Sequence, residues 1–412
     1  MSIIEISILI LAVLALLSII LEEYTHINKA KTTLFFGCLS WVLLFVEAKR
    51  HQQTDEILHL LNENLLDIST LWLFLVSTMT FVAYLNARGL IGNMVGHIMP
   101  RQLTTRKLTL LLAVFALLLS MLCDNITATL VSLGVIQAFQ LDNKERIKLS
   151  VLVVFAVNSG GVVLITGDVT TLMIFNAKHV SISDLLGLVL PTLCGVAVLA
   201  FSLCLRGNRP VVAEGNAQGF EPLDIIIAGL FFTTIIATMA FNILFDMPPV
   251  LVFLMGLSVM FMIGGVVNKY HSEVHLLEYV RQIQFDTLFF FLGILLVVGG
   301  LKEVGILDWV TGFYLSINPD ISNYIVGVLS AILDNVPLTA ALLKAEPELT
   351  NTQWLTLTYA VGVGGSLLLI GSAAGIIAMS RIKELTFISY GKYIPHLLVA
   401  YSAGFAMALQ FI

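Results

Sequence analysis

The sequence predicts an all-α polytopic membrane protein built from two inverted repeats. Apolar residues make up 58% of the chain and charged residues only 12%. Apolar runs long enough to cross the hydrocarbon core recur from end to end. An Asp-Asn pair interrupts such a run twice, at Asp124-Asn125 and at Asp334-Asn335. Each repeat is predicted to contain three spans, a re-entrant hairpin and two further spans, the first of which is broken at its centre.

Composition and motifs exclude several other classes of protein. No segment is basic or aromatic enough to indicate nucleic-acid binding. The Walker A pattern GxxxxGK(S/T) is absent, so the sequence shows no P-loop nucleotide-binding site that could drive transport with ATP. The cysteines lie in apolar runs without metal-ligand spacing, which indicates free packing thiols; they are Cys38, Cys123, Cys194 and Cys204. We expect neither an enzyme nor a bound cofactor.

Ten apolar segments are predicted to cross the bilayer. The first contains Glu5 near its start instead of a basic residue, and no small-x-small cleavage site follows it. We therefore expect a span there and not a cleaved signal peptide. The ten segments are 3–21, 33–46, 68–85, 151–175, 185–205, 223–245, 250–267, 287–304, 355–380 and 393–412.

The two Asp-Asn motifs are predicted to lie at the tips of re-entrant hairpins, 108–140 and 321–343. Each motif divides an apolar stretch into halves of only about a dozen residues, which is too short to cross. Irregular backbone at membrane depth is tolerated only where it is buried in protein or lines a watery cavity. The motifs are therefore expected to border such a cavity.

The order of segments predicts two halves of opposite orientation. The N-terminal repeat covers 1–205, a polar linker covers 206–222, and the C-terminal repeat covers 223–412. Five crossings per half is an odd number, so the second half must lie upside down relative to the first. Placing the first loop in the cytoplasm puts most of the 21 lysines and arginines on that side. Both termini are then outside, the linker is cytoplasmic, and the hairpins open to opposite sides.

Two shorter segments, 90–107 and 268–284, mix charged and apolar residues. Both are predicted to form amphipathic helices that lie along the membrane surface.

The first candidate site is the pair Asp124 and Asn125. An ionisable group at membrane depth is costly and indicates a functional site. Carboxylate and amide oxygens are hard ligands that suit Na⁺ or Li⁺, and a carboxylate can hold a proton instead. The alternative is that the pair only turns the hairpin. Thr127 and Thr129 could add hydroxyl oxygens, although threonine in a membrane helix often bonds to its own backbone.

The second candidate site is the glycine-rich interruption of the broken helix, 148–176. Glycines at 160, 161 and 167 would unwind the helix, and unwound backbone binds Na⁺ in discontinuous transporter helices. Asp168 follows the break, and its alternative role is a simple helix N-cap. The polar candidates around the break are Asn158, Ser159, Thr166, Asp168, Thr170 and Thr171. A sodium ion is expected at Asp124, Asn125 and Asp168.

The C-terminal repeat carries fewer acids in the matching places. In its broken helix, 354–380, Ser372 stands where the first repeat has Asp168. We expect this half to contribute Asp334, Asn335, Ser366 and Ser372. Asp286, at the start of a span, is as well placed to cap a helix as to take part in transport.

These motifs resemble the NhaD-type sodium/proton antiporters of the ion transporter superfamily. The resemblance rests on Asp124-Asn125, Asn158-Ser-Gly-Gly161, the TGDVTT run at 166–171 and Asp334-Asn335, with the first-loop segments Glu22-Glu23 and 26–31 in support. It covers nearly the whole chain. It implies a secondary transporter of the bacterial inner membrane, a homodimer, and a scaffold of spans 1–3 and 6–8 beside moving hairpins and broken helices.

The function expected is exchange of Na⁺ or Li⁺ for H⁺ by alternating access. A carboxylate in a poorly solvated site can hold either cation or proton, so exchange needs no ATP. The alternative is a sodium-coupled symporter of organic anions such as dicarboxylates. In that branch the hairpin tips look like Ser-Asn-Thr, whereas here an anion would meet three carboxylates and no nearby arginine. An arsenite permease stays open, while a non-transporting scaffold leaves the repeated buried acids unexplained.

Overall fold

The computed structural model describes residues 3–22, 27–90, 102–204, 208–212, 221–270 and 276–411. The N-terminal half contains α1 (Ile3–Ile20), α2 (Lys29–His51), α3 (Thr54–Ala87), β1 (Gln102–Thr104), α4 (Thr105–Leu122), α5 (Asn125–Ala138), α6 (Asn143–Gly161), α7 (Val169–Asn176), α8 (Ile182–Leu186), α9 (Val189–Cys204) and β2 (Pro210–Val212). The C-terminal half contains α10 (Pro222–Phe245), α11 (Pro249–Tyr270), α12 (Glu278–Arg281), α13 (Phe285–Glu303), α14 (Asp308–Ser316), α15 (Pro319–Leu329), α16 (Asn335–Ala345), α17 (Asn351–Gly364), α18 (Ala373–Arg381), α19 (Phe387–Gly391) and α20 (Ile394–Phe411).

The predicted class of helical membrane protein is confirmed. Within the described residues, eight helices are long and apolar enough to cross a membrane. One of them, α4, was predicted to be only a hairpin arm of about a dozen residues. That length is wrong, because α4 has 18 residues and extends from Thr105 to Leu122. The other candidates coincide with predicted spans, and re-entry of the hairpins stays a prediction.

The predicted surface segments differ from the structure where it describes them. Residues 102–104 form strand β1, which pairs antiparallel with β2, and the facing residues Leu103 and Val211 are both buried. From Thr105 onward the chain belongs to α4, because the Thr104 hydroxyl accepts a hydrogen bond from the Lys107 amide and caps that helix. The amphipathic surface helix expected over these residues is therefore not formed.

The second surface segment is also shorter than predicted. Helix α11 continues to Tyr270, and the only described helix after it and before α13 is the single turn α12. Residues 91–101 and 271–275 lie outside the described part of the chain. So do Glu23 and His26 of the first loop, residue 205, and most of the predicted linker, at 206–207 and 213–220.

Both predicted broken helices are interrupted at glycines, which in the first repeat are the predicted ones. Helix α6 ends at Gly161 and α7 begins at Val169. Helix α17 ends at Gly364, and two short 3-10 turns precede α18. A Cβ at Gly160 would lie 2.1 Å from the carbonyl oxygen of Leu117, and one at Gly364 would lie 1.9 Å from that of Gly327. Glycine is thus required because the hairpin arms α4 and α15 press against these helices.

Helix contacts between the halves occur in reciprocal pairs. Helix α2 packs on α13, and α11 packs on α3; likewise α1 contacts α13, and α10 contacts α3. Near the centre, α5 packs on α18 while α16 packs on α7. Helices α8 and α19, which precede the last helix of each half, both begin with a capping box. Two related halves would produce this pattern, and their opposite orientation stays a prediction.

Helices α2 and α13 approach closely at a pair of glycines. A Cβ at Gly37 would lie 2.6 Å from the carbonyl oxygen of Gly293, and one at Gly293 would lie 2.3 Å from the amide nitrogen of Leu34. The indole of Trp41 also donates to the carbonyl oxygen of Leu296 at 3.0 Å. We call this pair of helices the α2–α13 frame, because backbone-to-backbone contact leaves it little freedom to slide.

We predict that Gly293→Ala destabilises the protein by about 1–3 kcal/mol, because the added methyl group overpacks the frame. The measurement is the midpoint of thermal unfolding in detergent, which should fall by several degrees. Gly229→Ala on α10 is the matched control, since a Cβ there meets no described atom within 4 Å. Equal midpoints for the two variants would contradict the close contact.

Candidate functional site

The predicted site residues from both halves meet at one cavity. The cavity has a volume of about 410 Å³ and lies between the hairpin tips, the helix breaks and the N-terminal ends of α2 and α13. The predicted residues that line it are Asp124, Asn125, Thr166, Asp168, Asp286, Asp334, Asn335 and Ser372. Residues more than 200 positions apart in sequence are thus brought to a common space.

Besides α2 and α13, four helices begin at this cavity, and each of the four is capped by a predicted site residue. Asp124 caps α5, Asp168 caps α7, Asp334 caps α16 and Ser372 caps α18. The Asp124 carboxylate accepts from the Thr127 amide at 3.0 Å. Capping was the alternative to a binding role for Asp168, and the structure combines capping with a place on the cavity wall. The positive ends of the helices favour the ionised carboxylates.

Hydrogen bonds join the two halves beside the cavity. The side-chain amide of Asn335 donates to the Asp168 carboxylate at 3.1 Å. The side-chain amide of Asn158 donates to the Ser372 hydroxyl oxygen at 2.9 Å. The first bond joins the break of the N-terminal half to the hairpin tip of the C-terminal half. The second bond joins the helix breaks of the two halves to each other. Asp168 is 6% exposed, so its contacts are almost entirely with protein and the cavity.

The first hairpin tip is held by its own side chains. The Thr127 hydroxyl donates to the Asp124 carboxylate at 2.9 Å. The Ser120 hydroxyl donates to the Asn125 side-chain oxygen at 2.8 Å. A Cβ at Gly161 would lie 2.5 Å from that same oxygen, so the tip packs directly on the break of α6. Asp124 is half-buried, less deeply than Asp168.

Four polar oxygens around the break of α6 and α7 have no hydrogen-bond partner among the described residues. They belong to Asn158, Ser159, Thr170 and Thr171, all of which are buried. Buried polar atoms are nearly always paired, so each such atom calls for an explanation. A bound cation or an ordered water would satisfy them. They lie behind the cavity wall, since none of these four residues lines it.

Three other predicted ligands have hydroxyl groups that are already engaged. Thr129 donates to the carbonyl oxygen of Asn125 at 2.6 Å, and Ser366 donates to that of Val363 at 2.6 Å. Thr166 donates to the carbonyl oxygen of Met121 at 2.9 Å. Thr129 and Ser366 do not line the cavity. Each of these hydroxyl groups uses its proton to stabilise backbone. A role of its oxygen as a cation ligand stays a prediction.

The sequence did not indicate that basic residues border the cavity. The Lys29 ammonium lies 3.1 Å from the Asp334 carboxylate, and Arg381 lines the cavity at the end of α18. The expectation that no arginine lies nearby is therefore wrong. No local pattern in the sequence pairs Lys29 with Asp334, because the two residues are 305 positions apart. Its place at the end of the first loop is the only local signal that could have found it.

Among the described residues, acidic groups still outnumber basic ones around the cavity. The acids are Glu22, Asp124, Asp168, Asp286 and Asp334, and the bases are Lys29 and Arg381. Asp286 accepts a hydrogen bond from the Asn28 side-chain amide at 2.8 Å. Within the described chain, no group of three His, Cys, Asp or Glu side chains is arranged to hold a metal ion. The carboxylates thus share one cavity without forming a tight cluster of acids.

A family profile described as "Citrate transporter" matches residues 3–364. The chain is 32% identical to the "Na(+)/H(+) antiporter NhaD" of Vibrio parahaemolyticus, over 91% of this chain and 98% of that protein. It is 30% identical to the antiporter of the same name from Vibrio cholerae, over 95% of this chain and 88% of that protein. It is also 30% identical to "Sodium/proton antiporter 1" of Arabidopsis thaliana, over 95% of this chain and 70% of that protein.

These relatives are transporters, and the protein is accordingly an integral membrane transporter and not an enzyme. The chain belongs to the family described as citrate transporters and, within it, to the NhaD-type sodium/proton antiporters.

Proposed function

We propose that this protein exchanges Na⁺ or Li⁺ for H⁺ across the membrane through the carboxylates of Asp124, Asp168 and Asp334. The observation that carries the proposal is that all three line one cavity while capping helix N-termini. The names of the relatives agree with this function. Sodium and protons are the cargo, and no further cofactor is needed.

The chemistry of exchange follows from competition for the same carboxylates. A charge in a poorly solvated cavity is costly, and either a proton or a cation relieves that cost. When neither a proton nor a cation is bound, the helix N-termini stabilise the ionised carboxylates. We propose that the protein changes conformation only when a proton or a cation neutralises the carboxylates. Transport of Na⁺ or Li⁺ in one direction is then coupled to transport of H⁺ in the other.

The unpaired oxygens of Asn158, Ser159, Thr170 and Thr171 are proposed as inner ligands of the cation. Neutral amide and hydroxyl oxygens are suitable partners for Na⁺, and a partner would remove the cost of burying them. Asp168 stands at the start of α7, next to Thr170 and Thr171. The cavity carboxylates would then receive the ion, and these oxygens would complete its coordination.

Alternating access is proposed to involve movement of the hairpins and broken helices against a scaffold. The close contact within the α2–α13 frame and the reciprocal packing of the two halves support this division. Inverted repeats with hairpins 108–140 and 321–343, a homodimer, location in the bacterial inner membrane and external termini all remain part of the proposal. The distribution of lysine and arginine supports the orientation.

A sodium-coupled symporter of organic anions is the alternative, and the description of the matching family as citrate transporters is the reason to test it. Lys29 and Arg381 could contact an anion. Five carboxylates around the same cavity oppose a substrate that itself carries two or three negative charges.

We predict that labelled citrate and succinate do not accumulate in proteoliposomes with an inward sodium gradient, because the carboxylates repel these anions. Uptake above the sodium-free background would favour the symporter.

We predict that Asp124→Asn and Asp168→Asn abolish exchange while leaving the fold intact. Asparagine caps helices as well as aspartate does, so only the charge is lost. Loss of a charged ligand costs about 1.5–3 kcal/mol, a factor of ten or more in cation affinity. The measurement is dequenching of a pH-sensitive dye in everted vesicles after addition of Na⁺ or Li⁺.

Asp142→Asn is the matched control for this experiment. Asp142 also caps a helix, accepting from the Glu145 amide at 2.8 Å, but it does not line the cavity. Full exchange in both cavity variants would overturn the assignment of the site.

We predict that Thr171→Val raises the half-saturating sodium concentration by about tenfold, since a hydroxyl ligand to a charged ion is lost. Thr358→Val is the control, because Thr358 is equally buried, donates to the carbonyl oxygen of Trp354 at 2.7 Å and is not a predicted ligand. The sodium dependence of proton movement measures the difference. If Thr171 were instead an unused buried hydroxyl, its replacement would stabilise the protein and leave the sodium response unchanged.

A further inference from the structure

Lys29 places an ammonium group inside the proposed path of the cation. Its Nζ lies 3.1 Å from the Asp334 carboxylate and 4.5 Å from the centre of the Phe290 ring. The side chains of Lys29 and Asp334 are only 18% and 7% exposed. All three residues line the cavity. The pair is therefore shielded from solvent, and its attraction is stronger than that of a surface ion pair.

The position of Lys29 in its helix is unfavourable for stability. Lys29 is the first residue of α2, where the helix dipole opposes a positive charge. Asn28 supplies the cap by accepting from the Ala30 amide at 2.8 Å, so the helix start does not need the lysine. A cation at this end of a helix is explained better by its partner across the cavity than by the helix itself.

The ion pair joins two parts of the structure. Lys29 and Phe290 belong to the α2–α13 frame, whose helices are in backbone contact at Gly37 and Gly293. Asp334 belongs to the tip between α15 and α16, and its neighbour Asn335 bonds to Asp168. Lys29 thus connects the α2–α13 frame to the same hairpin tip that contacts the Asp168 carboxylate.

We propose that Lys29 is a tethered counter-ion that competes with the transported cation for Asp334. With no cation bound, its ammonium neutralises Asp334 and holds the tip against the frame; an arriving cation displaces it and releases the tip. This inference rests on the proposed exchange function. It assigns Lys29 as a positioning residue that sets the apparent sodium affinity.

Competition between Lys29 and sodium predicts in which direction the apparent sodium affinity changes when Lys29 is removed. When the binding-competent form is only a fraction of the population, the apparent dissociation constant is the intrinsic constant divided by that fraction. Removing the competitor must therefore tighten apparent sodium binding. A residue that merely held the site in shape would weaken binding or lower the maximal rate when removed.

The test compares Lys29→Met, Lys29→Arg and Phe290→Leu in purified protein reconstituted into liposomes. Lys29→Met should lower the half-saturating sodium concentration about three- to tenfold without raising the maximal rate. Phe290→Leu removes the ring beneath the ammonium and should shift it in the same direction by a smaller factor. Lys29→Arg keeps the charge and should resemble the wild type. Sodium-dependent thermal stabilisation in detergent provides a second measurement on the same samples.

Lys302→Met is the matched control, because Lys302 pairs with Glu346 at 2.9 Å and does not line the cavity. An unchanged or higher half-saturating concentration in both Lys29→Met and Phe290→Leu, beside active wild type, would overturn the tethered counter-ion alone. Wild-type protein that binds sodium but moves no protons would overturn the exchange function instead. Wild-type protein without any sodium response would overturn both.

Discussion

The structure depends on keeping carboxylates inside an apolar bundle, where desolvation opposes their charge. Asp124, Asp168 and Asp334 meet that cost by standing at the N-terminal ends of helices. A continuous helix offers no free amides at membrane depth, so the helices must be interrupted for these ends to exist. Interruption in turn exposes irregular backbone, which is acceptable only beside protein or a wet cavity. The broken helices, the glycines and the cavity are thus consequences of one electrostatic requirement.

Contacts around the cavity cross from one part of the molecule to another. Asp168 is bonded to Asn335 of the opposite half, and Asn158 to Ser372. Lys29 reaches Asp334 from the α2–α13 frame. A change in the charge of one carboxylate therefore alters a contact between moving and fixed segments of the proposed scheme. In that scheme, ion binding would be coupled to movement through these hydrogen bonds and this ion pair, without a long chain of intermediate contacts.

Much of the fold and the site could be predicted because local patterns mark them. Charged or amide residues in an apolar run identify Asp124 and Asp334, and the glycines identify the helix breaks. Tertiary contacts have no such local signal: β1 pairs with a strand more than a hundred residues away, and Lys29 with Asp334 across 305 positions. Hydroxyl groups are a third case. Thr129 and Thr171 look alike in sequence, and only side-chain geometry shows that one bonds to backbone while the other does not.

The short pairing of β1 with β2 has a mechanical consequence for the first half. The two strands lie immediately before α4 and shortly after α9, and Gln102 stands opposite Val212. The amide of Gln140, beyond α5, also donates to the carbonyl oxygen of Val212 at 3.1 Å. The hairpin arms and the first broken helix thus belong to a stretch of chain whose two ends are joined by backbone hydrogen bonds. In the proposed scheme of alternating access, this pairing would favour displacement of the hairpin arms and the first broken helix as one unit.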